Sequence, residues 1–340
     1  MSRDARRTAN VDTLRRGTVV CVNPNVSVDH TVVIDRFETG RVYRTERSRA
    51  VAGGKGLNLA RGLLRLHQQP IALGMIGGHS GELAVSLALD EGIQARWVAI
   101  AGSTRICTAV VESATGAGTM INEAGPTVSE SEWAAFEDAI LETARPAAAV
   151  CFAGSLPLGV SHGATGRLIE RLKAAGARVY VDTHSEALKS AMEARPYCIK
   201  VNGDEAAAIL GRPVADIEEA ATAAERIRAG GISEVVITLG RLGAVVASGS
   251  GTSTAVAPVV ETKSGIGSGD AFFAGYVAAE LQGLSPADAL RHGVAAGAAN
   301  ACSRWGGFFE LDDFERILTT VSVASAAEPS ATVTSAGTAT

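Results

Sequence analysis

Aromatic residues are scarce in this sequence, 4% of 340 residues, so Ala, Val, Leu and Ile have to fill a buried core. Cysteine is scarce too. Cys21, Cys107, Cys151, Cys198 and Cys302 are scattered with no C-x-x-C pair, which argues against a disulfide framework and a zinc site and suits a reducing cytoplasm. No apolar run reaches bilayer-spanning length, so no membrane role is expected. Positive charge is not in excess: the net charge of -5 argues against a nucleic-acid partner, which would need a basic face. An anionic small molecule stays open, because a few local Arg and Lys suffice to bind one. Residues 1–17 lack the apolar centre of a secretory signal and read as a disordered extension. The Ala/Ser/Thr-rich stretch 321–340 reads as a disordered tail.

What remains, residues 18–320, alternates short apolar runs with helical apolar spacing. TVVCV from Thr18, IALGMIG from Ile71, RVYVDT from Arg178 and EVVITLG from Glu234 read as buried strands. GLNLARGLLRL from Gly56, RLIERLKAAG from Arg167 and DAFFAGYVAAELQG from Asp270 read as helices. This order predicts an α/β fold with a mostly parallel central sheet covered on both faces. Two stretches, near 32–50 and 105–122, look extended and carry no crossover helix. They are expected to form a small β lid on a single domain, since no Pro/Gly linker divides the chain.

Three motifs carry candidate chemistry. In KSGIGSGDAFFAG, Gly265, Gly267 and Gly269 precede Asp270 at a helix start. The backbone amides of Gly267, Ser268 and Gly269 can converge on an anion there, helped by the helix dipole, and Asp270 can accept a proton from an attacking hydroxyl. By spacing alone Asp270 reads equally well as an N-cap. In AVAGGKGLNLARGL, Gly54 and Lys55 open a helix that carries Asn58, a pattern suited to sugar hydroxyls or to a plain helix-start loop. In IKVNGDEAAAIL, Asn202 and Glu205 share a face that suits Mg²⁺ through water, although a capping box explains the same spacing better. Asp29, Arg41, Arg105 and Ser155 of the GSLP turn are weaker candidates for sugar and phosphate.

Taken together these motifs resemble the ribokinase-like carbohydrate kinases of the PfkB family, over about Thr18 to Leu318. NPNVSVDHTV, TRICTAVV, AGSLP, VDTHSEAL, KVNGDE and VITLGRLGA further resemble the family's sugar-phosphate branch, the 1-phosphofructokinases and tagatose-6-phosphate kinases. The resemblance implies a three-layer α/β/α fold and ATP-dependent phosphorylation of a primary hydroxyl of a ketohexose phosphate. Fructose 1-phosphate and tagatose 6-phosphate are the expected substrates, with ATP and Mg²⁺ as cofactors; independently of the resemblance, the exposed edges of the lid strands suggest a homodimer through the lid. The resemblance also implies that Asp270 is the base and that the Gly267–Gly269 amides form the anion hole. Asp29, Gly54, Lys55 and Asn58 would lie at the sugar, with Arg41, Arg105 and Ser155 at its existing phosphate. Lys200, Asn202, Glu205, Thr238, Gly240 and Asn300 would lie at the nucleotide, Asn202 and Glu205 also at the metal. One departure concerns the family's N-P-x-x-D: two extra residues separate Asn23-Pro24 from Asp29. The alternatives are a kinase of an unphosphorylated sugar or nucleoside and a non-catalytic sugar-phosphate-binding protein.

Overall fold

The computed structural model describes residues 18–144 and 149–325; the expected extension 1–17 and residues 326–340 of the expected tail lie outside them. From its first described residue the chain forms β1 (Thr18–Asn23), β2 (Ser27–Ile34), β3 (Ser48–Gly53), α1 (Lys55–Arg65), β4 (Gln69–Ile76) and α2 (Gly78–Asp90). β5 (Gln94–Ala99), β6 (Arg105–Glu112), β7 (Gly118–Asn122), α3 (Glu130–Ala144) and β8 (Ala149–Ala153) follow. Next come α4 (Gly163–Ala174), β9 (Val179–Asp182), α5 (Ser185–Glu193), β10 (Cys198–Asn202), α6 (Gly203–Leu210) and α7 (Ile217–Arg228). The chain closes through β11 (Glu234–Thr238), β12 (Ala244–Ser248), β13 (Gly251–Val256), α8 (Ser268–Leu281), α9 (Pro286–Ala301), α10 (Leu311–Leu318) and β14 (Ser322–Ser325).

The large sheet has the strand order β14-β13-β12-β11-β10-β9-β8-β1-β4-β5. From β11 to β5 all neighbours are parallel; β11 to β14 are joined antiparallel. β1 shows why the apolar run TVVCV makes a central strand. Val19 and Cys21 enter the core on one face, Val20 and Val22 the core on the other, and all four are fully buried. Helices cover both faces, as the alternating pattern predicts. Among the described residues no helix is long and apolar enough to cross a membrane.

The second sheet, order β3-β2-β6-β7, stands off the first and matches the expected lid strands, with two differences. It begins at Ser27 rather than near 32, so Asp29 lies on a strand of this sheet; residues 35–47 form an irregular loop. The tail is a correction as well: Ser322–Ser325 pairs antiparallel with β13. An edge strand needs backbone partners more than apolar side chains, and composition does not reveal that.

α8 is the most enclosed helix, buried from Asp270 to Glu280. Small residues let it approach α9: a Cβ on Gly275 would fall 2.5 Å from the His292 carbonyl oxygen. A Gly275→Val variant should lose about 1–3 kcal/mol of stability through this overpacking, read as a lower denaturant midpoint at unchanged slope.

Candidate active site

Strand β1 ends at Asn23, whose side chain organises the glycine-rich loop opposite it. Its Nδ2 donates to the Gly53 carbonyl at 3.1 Å, and the Gly56 amide donates to its Oδ1 at 3.4 Å. The glycines are required by space. A Cβ on Gly53 would lie 2.1 Å from the Asp29 Cγ, and one on Gly54, at φ 104°, would meet Asn23 at 2.5 Å. Asp29 is held over this loop by Ser27 Oγ at 2.6 Å, and the Gly54 amide donates to it at 3.4 Å.

Asp270 stands in the first turn of α8 and is 8% exposed. It is not the N-cap; Gly267 is, in the left-handed region at φ 75°, where a Cβ would fall 2.3 Å from the Gly307 nitrogen. The Asp270 and Ala271 amides turn back to the Gly267 carbonyl, and the Ser268 amide to that of Gly265. Among the described residues the amides of Gly267 and Gly269 have no acceptor, whereas that of Ser268, expected beside them in an anion hole, is taken. Asn58 Nδ2 donates to Asp270 Oδ2 at 2.8 Å. Arg61 fixes that orientation by donating to Asn58 Oδ1 at 2.7 Å, and is itself held by Glu91 and the Ala52 carbonyl.

Next to Asp270 lies a buried carboxylate, Asp182, that carries two lysines: Lys55 Nζ at 2.7 Å and Lys200 Nζ at 2.8 Å. Burial works to raise the Asp182 carboxyl, but Lys200 and Lys55 outweigh it and hold it below its ordinary range. Burial also disfavours charge on Lys55, and there Asp182 and then Asp270 win, so it stays protonated. Asp270 goes the other way. Burial pushes its carboxyl up to about 6, with Lys55 opposing and the Asp182 charge reinforcing the rise.

A polar corner forms beyond Asp29. Asn25 Nδ2 donates to Ser155 Oγ at 3.2 Å and to the Ala124 carbonyl at 3.1 Å. Arg105 reaches the carbonyls of Asn25 and Glu123, both at 3.1 Å. Arg105 Nε and Asn25 Oδ1 are buried without a partner among the described residues. Arg41 does not join them. It pairs with Glu38 on the 35–47 loop, with side chains 67% and 50% exposed, because that loop runs into solvent.

Across the sheet, Asn202 and Glu205 make a reciprocal capping box at the start of α6, with bonds of 2.9 and 2.8 Å. Glu205 Oε1 stays outside the box, and its charge reaches Lys55. Among the described residues no three His, Cys, Asp or Glu form a metal cage. This donor set therefore fits only a divalent ion that keeps its waters and phosphate ligands. Thr238 ends β11, and above Gly240, at φ 56°, the space is open. Asn300, expected at the nucleotide, is fully buried on α9 and donates to the Ile266 carbonyl at 2.9 Å and to Ser268 Oγ at 3.0 Å, so it braces the turn before α8.

Sequence reasoning missed Asp182, Asn25 and Arg61.

The sequence pattern of the pfkB family carbohydrate kinases matches residues 22–308. A 1-phosphofructokinase of Haloferax volcanii is 36% identical over 279 residues, covering 81% of this chain and 88% of its own. The crystal structure of phosphofructokinase-2 from Escherichia coli in complex with potassium superposes with TM-score 0.83 at 27% identity, over 90% of this chain and 99% of that one. An Arabidopsis thaliana ribokinase, complexed with ribose and ATP, shares the fold at TM-score 0.68 and 20% identity, over 89% of this chain and 99% of its own. The ribokinase-like sheet and the two glycine-rich motifs facing each other across Asp270 thus agree with the family match, and this chain belongs to the pfkB family of carbohydrate kinases, as an ATP-dependent sugar kinase.

Proposed function

We propose that the protein phosphorylates a primary hydroxyl of a ketohexose phosphate, fructose 1-phosphate or tagatose 6-phosphate, to give the bisphosphate. The observation that carries this reading is the corner of Asn25, Arg105 and Ser155. A half-buried guanidinium whose enclosed Nε–H has no partner among the described residues, linked through Asn25 to a serine hydroxyl, is costly unless an anion completes it. The corner lies at the sugar side of the site, where an existing phosphate would anchor the substrate.

Asp29 and the Gly53–Gly54 backbone bind sugar hydroxyls. Asn58 occupies Oδ2 of Asp270 and leaves Oδ1 for the proton of the attacking hydroxyl. Lys200, Lys55 and the free amides of Gly267 and Gly269 oppose the negative charge that spreads over the transferring group. Asn202, Glu205, Thr238 and Gly240 line the nucleotide side. Mg²⁺ arriving with the nucleotide would neutralise phosphate charge, held by Glu205 through water. The small sheet acts as a lid that limits water at the reacting group. One face exposes Ile106 and Ile121, which supports a homodimer through the lid.

An Asp270→Asn variant should lose turnover by roughly a hundredfold or more. Its melting temperature should rise, which separates the loss from misfolding. The sign follows from the raised carboxyl. Asp270 binds its proton more tightly folded than unfolded, so its contribution to stability is present below its ordinary 3.8 and lost as pH rises through about 6. For the same reason wild-type turnover should fall as pH drops through about 6, since a protonated Asp270 cannot act as a base.

Arg105→Met should raise KM for fructose 1-phosphate by about tenfold to a hundredfold and change kcat little, the pattern of lost uniform binding. Equal KM values in the two proteins would refute the phosphate corner and favour an unphosphorylated sugar. Ile106→Lys with Ile121→Lys should shift the sedimentation coefficient from dimer to monomer.

A further inference from the structure

Asp182 has no part in binding sugar or nucleotide in the reading above, yet it is the most enclosed charge of the site. It ends β9 and is 1% exposed. β9 runs between β8, which leads into the Ser155 turn on the sugar side, and β10, which carries Lys200 on the nucleotide side. Asp182 is tied to both. The Gly154 amide donates to its carbonyl at 2.9 Å, and its two carboxylate oxygens each take one lysine.

The two lysines come from different elements. Lys55 opens α1 after the glycine pair, and its charge faces Asp270. Lys200 lies in β10 with its ammonium against the anion-hole turn, where a Cβ on Gly269 would come within 3.3 Å of Nζ. A lysine is a point charge on a flexible stem, and two of them side by side repel. One buried carboxylate with an oxygen for each removes both problems at once.

We propose that Asp182 is a positioning residue, a clamp that holds the Lys55 and Lys200 ammonium groups on either side of the point where the phosphoryl group passes to the sugar hydroxyl. This rests on the reading of Asp270 as base. With Asp182 in place the formal charges of Lys55, Lys200, Asp182 and Asp270 cancel before substrates bind. Without it the site gains a positive charge, yet its lysines are loose. Anion binding and turnover should then move in opposite directions.

The groups facing Asp270 are Lys55 and Asn58 from α1, Asp182 from β9 and Lys200 from β10. Removing the negative charge at 182 leaves Lys55 free to turn to Asp270, so the acid limb of the rate profile should shift to lower pH.

The test is Asp182→Asn in the full-length protein. With fructose 1-phosphate and MgATP, kcat should fall about a hundredfold, the scale of a misplaced catalytic group, and the acid limb should move down by about one pH unit. Calorimetric MgATP affinity should be kept or tightened. A second variant, Asp182→Asn with Lys200→Met, keeps the buried charge balanced should the first not fold, and should show the same fall in kcat. A kcat within threefold of wild type, an unmoved limb, or MgATP affinity weakened more than tenfold in a folded variant would each overturn the clamp. Failure of the base itself reads differently: Asp270→Asn would then keep its turnover. The calorimetric result stands whichever sugar is the substrate.

Discussion

The carboxylate proposed as the base is placed in this fold where water hardly reaches it. Asp270 sits in the first turn of a helix that is buried along most of its length, and burial is the largest influence on its proton affinity. The rest of the site can be understood as the means of keeping that group usable. Asn58 takes one oxygen and leaves the other; Arg61 decides which end of the Asn58 amide faces it. The lysine–aspartate–lysine row next to it supplies positive charge without quenching it outright. Raised to about 6, its carboxyl is poised between a strong base and a permanently ionised one.

Close approach of chain segments is the second constraint, and it accounts for the glycines. The loop after β3 is pressed against Asp29 and Asn23 so tightly that Gly53, Gly54 and Gly56 have no room for a Cβ. The turn before α8 is pressed likewise against Gly306 and Gly307, which leaves Gly267 the one residue type for its place. The two signatures are thus glycine-rich because backbone meets backbone or a buried side chain there. Their amides are brought to within reach of a ligand as a consequence.

The order of strands separates the tasks. Carboxyl ends of β1 and β8 bear Asn23 and the Ser155 turn on the proposed sugar side; β10 and β11 bear Asn202 and Thr238 on the proposed nucleotide side, with β9 and Asp182 between them. Sites gather at these ends in parallel sheets because successive crossovers leave a crevice there. The second sheet is attached directly to this crevice, since β2 follows β1 after a short turn and carries Asp29 into it.

Much of this was legible from the chain itself. Alternating apolar runs dictated a parallel sheet, and TVVCV reads as central because both of its faces must be buried. The glycine spacing before Asp270 and the GGKG segment marked two helix starts, because a helix start after a glycine turn is a local property. Asn202 with Glu205 reads as a capping box for the same reason, and that is what the structure contains. Asp182, Asn25 and Arg61 were not legible. Each acts through a residue far along the chain, at Lys55 and Lys200, at Ser155 and, through Asn58, at Asp270, and nothing local marks an aspartate as the partner of two lysines. Arg41 and Asn300 show the opposite case. Each is in a suggestive sequence neighbourhood, and only packing sends one into solvent and the other beneath the loop. The sequence by itself determined the elements, their order and the local turn chemistry, since these depend on neighbours a few residues apart. The tertiary structure alone decided which charges meet, because burial and distance between remote segments set the electrostatics of the site.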